Sequence, residues 1–104
     1  MNVLSSDDFG TFGRENGLYA VWSTLWGFGR PSDASPIEQG ALIRYNYFGE
    51  DRQKALEGNT LGDVYKTCND LIVNGDPDPG SIDHIYIEGF HALPDGSYRL
   101  ETGS

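Results

Sequence analysis

The segment TLGDVYKTCNDLIVNG, residues 60–75, fits one regular conformation well. Leu61, Val64, Tyr65, Cys68, Leu71 and Ile72 recur at i, i+3, i+4 and i+7, the spacing that lines one face of an α-helix. Thr60 can cap the first turn, and Asp63 at the third helical position favours the positive end of the helix dipole. Asn74-Gly75 ends the helix, because both residues tolerate the left-handed conformation. The spacing predicts a helix over 61–73, and its apolar stripe needs another layer to cover it.

The C-terminus supplies strands for that layer. IDHIYIEGFHAL places Ile85 and Ile87 on one face and His84, Tyr86 and Glu88 on the other. Leu93-Pro94-Asp95-Gly96 reads as a tight turn, and 97–101 returns with Tyr98 and Leu100 on one face. Gly89 suggests a bulge, which leaves the face of His91 open. LYAVWSTLWGF (18–28) reads as a buried strand because it is short and aromatic-rich, although Leu18, Val21, Trp22 and Leu25 also match a helical stripe. Ser6-Asp7-Asp8-Phe9 can cap a short helix. Ser35-Pro36-Ile37-Glu38 reads as a capping box, with Ile37, Ala41, Leu42, Tyr45 and Phe48 continuing a stripe to a helix end near Gly49. The polar EDRQKALEG that follows reads as a short extra turn. The expected fold is α+β: a small, mainly antiparallel sheet of one N-terminal strand plus a C-terminal β-hairpin, with two or three helices packed on one face.

At 104 residues, with 38% hydrophobic residues, residues 1–104 are expected to form a single domain with one modest core. The lone Cys68 cannot close an internal disulfide, and the N-terminus reads as lacking a signal peptide, so cytoplasmic residence is expected. No run is long and apolar enough for a membrane span. Seven Lys and Arg against sixteen Asp and Glu give a formal net charge of −9. The cations are scattered, so neither a phosphate backbone nor an anionic membrane is an expected partner. A partner protein with a basic surface is favoured.

Each chemical motif is weighed against an ordinary structural role. NGDPDPGSID (74–83) holds Asp76, Asp78 and Asp83, but no EF-hand register places its glycine and its final acid correctly. It reads as a connector stiffened by proline, with a looser cation site at those three aspartates left open. His84 and His91 lack zinc spacing, and Cys68 on a helical stripe reads as a core residue. No nucleophile elbow or phosphate-binding loop is present, so no catalytic residue, metal or cofactor is expected.

Two features remain. Asp76, Asp78, Asp83, Glu88 and Asp95 crowd the C-terminal third against few cations, and can form a negative ridge. Trp22 and Trp26 fall within a short aromatic segment and can anchor a partner if exposed. The leading expectation is a small, acidic, non-catalytic protein-binding module. It would be an inhibitor or adaptor that docks on a basic, nucleic-acid-handling protein surface and mimics nucleic acid there, by the physics that phage counter-defence inhibitors use. One alternative is a ligand-binding or enzymatic domain with a pocket around Tyr86 and Glu88 that also includes a tryptophan. A homo-oligomeric assembly subunit is the other.

Overall fold

The computed structural model describes residues 8–23 and 29–103. Trp26 and the rest of 24–28 lie outside them. The expected central helix runs from Leu61 to Val73 (α2). The Thr60 hydroxyl accepts from the Asp63 amide at 3.2 Å, and the Asp63 carboxylate accepts from the Thr60 amide at 3.1 Å. This reciprocal capping box is worth about 1 kcal/mol to the helix. Asn74 ends it in the left-handed region at φ 51°. A shorter helix, α1, spans Phe9–Glu15 and is capped by Asp8, whose carboxylate accepts from the Thr11 amide at 2.8 Å.

The C-terminal hairpin consists of β4 (Tyr86–Ala92) and β5 (Tyr98–Gly103). Ile87 is buried while Tyr86 and Glu88 are exposed, as their alternation predicts. The register shifts between Ile87 and Gly89, so a bulge occurs at the expected glycine and His91 comes to pair with Arg99.

Residues 35–55 differ from expectation. There is no helix over 35–49. Ile37 is buried in a loop, followed by strand β2 (Leu42–Tyr47) and strand β3 (Glu50–Ala55). The Ser35 hydroxyl does accept from a backbone amide, that of Ile37 at 2.9 Å, but it closes a local turn and does not start a helix. Buried Ile43 and Tyr45 alternate with the more exposed Arg44 and Asn46, a period of two carried by β-branched and aromatic residues. The polar stretch read as an extra turn is β3, an edge strand whose charges discourage pairing with other chains.

With a short strand β1 (Val21–Trp22), the sheet order is β1-β4-β5-β2-β3. The fold is α+β as expected, and the five-stranded sheet is mixed, with most of its pairing antiparallel. β1 runs parallel to β4 and β5 parallel to β2, each over two residue pairs, whereas the two hairpin ladders hold six pairs each. The aromatic segment contributes only β1 as strand within its described part.

Both helices cover one face of the sheet. Val64, Cys68 and Ile72 of α2 join Ile43, Ile87 and Leu100 in the core, and burying each large aliphatic side chain contributes about 1.5–3 kcal/mol. Phe9 of α1 stacks on Trp22 at 4.6 Å, and Trp22 lies 5.5 Å from Tyr65 of α2. Arg52 joins β3 to the end of α2: its Nη1 donates to the carbonyls of Leu71 (2.7 Å) and Ile72 (3.2 Å). Those carbonyls have no successors within the helix, and a cation there suits the negative end of the dipole. The opposite face of the sheet carries no helix among the described residues.

Candidate functional site

The β2–β3 hairpin turns on two residues, Phe48 and Gly49, with φ 50° and 94°. Two positive values define a type I′ turn, the connection that matches strand twist and normally takes Asn-Gly. A phenylalanine in the left-handed region is strained by about 1–2 kcal/mol. Asn46 holds the turn in place: its Oδ1 accepts from the Gly49 amide at 3.0 Å, and its Nδ2 donates to Asp51 at 2.7 Å. The Phe48 side chain is 72% exposed, the most exposed large hydrophobic residue among those described.

Aromatic contacts connect this tip to the acidic connector. Phe48 meets Tyr47 edge-on at 4.7 Å and lies 5.5 Å from His84, itself at φ 60°. The Arg52 guanidinium sits 4.8 Å over the Tyr47 ring and donates to Glu50 at 2.9 Å. Because Arg52 also holds the end of α2, the hairpin tip and the 74–85 connector share one end of the molecule.

The connector is built as a connector. The Asp78 amide donates to the Asp76 carboxylate at 2.8 Å, and a single 3₁₀ turn at Pro79–Ser81 leads toward β4. No three His, Cys, Asp or Glu side chains among the described residues converge on a metal-binding arrangement.

Charge separates the candidate acids into two groups. Asp33, Glu50, Asp70, Asp95 and Glu101 each pair with a cationic side chain. Asp76, Asp78, Asp83 and Glu88 have no ion pair with any described residue. Asp95 belongs to the β4–β5 turn: hydrogen bonds from the Ser97 hydroxyl and amide, with Arg44 nearby, hold its carboxyl below the usual carboxylate range. Glu88 lies on the open sheet face, its carboxylate packed against Gly103.

Trp22 and Glu88 lie on opposite faces. Trp22 is aligned with buried Ile87 under α1, whereas Val21 is aligned with exposed Tyr86. The described structure therefore brings no tryptophan together with Tyr86 and Glu88. Cys68 is fully buried, which pushes its thiol far above the ordinary range and leaves it protonated in the core.

Sequence reading placed Phe48 in a helical stripe and missed its exposure at a hairpin tip. The one available signal was Phe48-Gly49 between two alternating stretches, a hairpin turn with an unusual first residue.

Fold and site together define a two-layer α+β arrangement with one sheet face left open by the described residues and an acidic end that displays an aromatic side chain. Comparison of the chain with protein-family models, characterised proteins and solved structures finds no match. No helix among the described residues is long and apolar enough to cross a membrane.

Proposed function

We propose that the protein is a small, non-catalytic binding module, an inhibitor or adaptor that docks its acidic end on the basic surface of a partner protein. The observation that carries this reading is Phe48, held exposed in a strained conformation beside carboxylates that lack cationic partners among the described residues. A strained residue that stability alone does not favour is a reason to look for function. Phe48 serves as the anchor, and Asp76, Asp78 and Asp83 steer the encounter, with Glu88 on the adjoining open face. Basic clefts that handle nucleic acid are the surfaces best matched to such an end, because they are built to attract closely spaced negative charge. The single buried thiol is compatible with a cytoplasmic setting.

The test is capture of partners from source-cell or host lysate on the tagged protein, washed in a salt series, then kinetics with the purified partner. Reversing Asp76, Asp78 and Asp83 together is expected to slow association at low salt about tenfold or more, with a smaller effect at high salt. An unchanged on-rate and affinity would remove the acidic connector from the interface.

A further inference from the structure

The open face of the sheet carries a row of charge that docking through the acidic end does not use. His91 pairs with Arg99, Arg99 with Arg44, and Arg44 with Gln53, so these four side chains cross four neighbouring strands on one face. Adjacent strands lie about 4.8 Å apart, which places the two arginine stems side by side. Like charges aligned in this way repel unless negative charge lies between or beside them. The chain supplies some of it. Asp95 lies 3.2 Å from Arg44 Nη2, and one Glu101 oxygen is shared between Arg99 Nε (3.3 Å) and His91 Nε2 (3.2 Å).

The two guanidinium groups differ in how much they retain. Arg44 is fixed through all three nitrogens: Nε donates to Ser97 at 3.0 Å, Nη1 to Gln53 at 2.8 Å, and Nη2 to Asp95. Arg99 donates only through Nε, and its Nη1 and Nη2 make no hydrogen bond with any described residue. The fork of terminal N–H groups that suits a carboxylate or phosphate is thus held beside a rigid second cation. Both arginines line a concavity of about 280 Å³, with Asn46, Gln53 and Leu93 on its walls and both Asp51 and Arg52 also lining it.

We propose that this concavity is a binding site for a small oxyanion, a carboxylate or phosphate group seated between Arg99 and Arg44. The site is local: a chain of net charge −9 repels anions at long range, so diffuse attraction cannot imitate it. The site does not rest on the docking reading, although Asn46 and Asp51 border both regions.

The test is titration of the full chain with inorganic phosphate and, separately, with acetate, at constant ionic strength set by sodium chloride and followed by ¹H–¹⁵N spectra. Saturable shifts centred on Arg44, Gln53, Ser97 and Arg99, with a millimolar or tighter midpoint, are expected with at least one probe. Which probe saturates assigns the oxyanion. Arg99→Gln is expected to weaken that binding tenfold or more, and Arg99→Lys to fall between, because it keeps the charge without the fork. Arg99 is exposed, so both variants should give well-dispersed spectra; if Arg99→Gln does not, the lysine variant is decisive. Linear, unsaturable shifts with both probes would overturn the site, as would equal binding in the variants.

Discussion

Asparagine in place of Phe48 is expected to make the free protein more stable and its partner complex weaker. Asn-Gly is the favoured type I′ pair, and relieving a bulky residue at φ 50° gains about 1 kcal/mol. The lost ring contacts with Tyr47 and His84 cost less than that, because the side chain is 72% exposed. Urea unfolding should therefore show a midpoint shifted upward by a modest amount. Binding to the partner should weaken by about 30-fold, the scale of losing one interface anchor. Opposite signs for stability and affinity are what separate a functional aromatic from a structural one. A variant less stable than the parent but binding equally well would show that Phe48 serves the hairpin and not an interface.

Arg52→Met is expected to cause a large loss of stability, because the Arg52 side chain is mostly buried against the end of α2. Methionine keeps an apolar stem of similar length but leaves the Leu71 and Ile72 carbonyls without their donor. It also removes the cation over Tyr47. Hydrogen bonds from a charged group are worth about 1.5–3 kcal/mol each, and two share one nitrogen here, so a loss of about 3 kcal/mol is expected. The native arrangement is imperfect: Arg52 Nε is buried without a hydrogen-bond partner, which lowers the net value of the residue. For a domain of this size the expected fall in melting temperature is about 12–24 °C. Arg52→Lys should fall between, because it retains charge but neither the planar stack nor the fork. A fall of only a few degrees in Arg52→Met would mean that water caps the end of α2 as well as arginine does.

The parts of the fold that were readable are those whose signals are local. Thr60, Asp63 and Asn74 mark α2 from end to end, and Gly89 marks the bulge, because each acts on residues within a few positions of itself. The 35–55 region misled for equally physical reasons. A serine hydroxyl bonded to a nearby amide opens a helix in one context and closes a turn in another, and Ser35 does the second. Ile37, Ala41, Leu42, Tyr45 and Phe48 satisfy helical spacing, yet Ile43, Tyr45 and Tyr47 satisfy a strand equally well. A phenylalanine where asparagine is usual concealed the turn that would have decided between them.

The candidate site divides in the same way. The connector aspartates were visible because they lie within eight positions of one another in the chain. The exposure of Phe48 depended on the missed turn. The row from His91 to Gln53 depends on β5 lying parallel to β2, a pairing between residues more than fifty positions apart that no local pattern announces.

That parallel pairing has a consequence for how the chain assembles. Each hairpin closes over neighbouring residues and needs little loop entropy, whereas the two-pair seam between β5 and β2 requires a far longer segment, including α2, to be brought round first. The hairpins are therefore expected to form first and the β5–β2 seam last, with α2 packing chiefly on the β2–β3 half. The same seam is the natural line of first opening in the native protein, and the arginine row, which straddles it, forms only when the halves are joined.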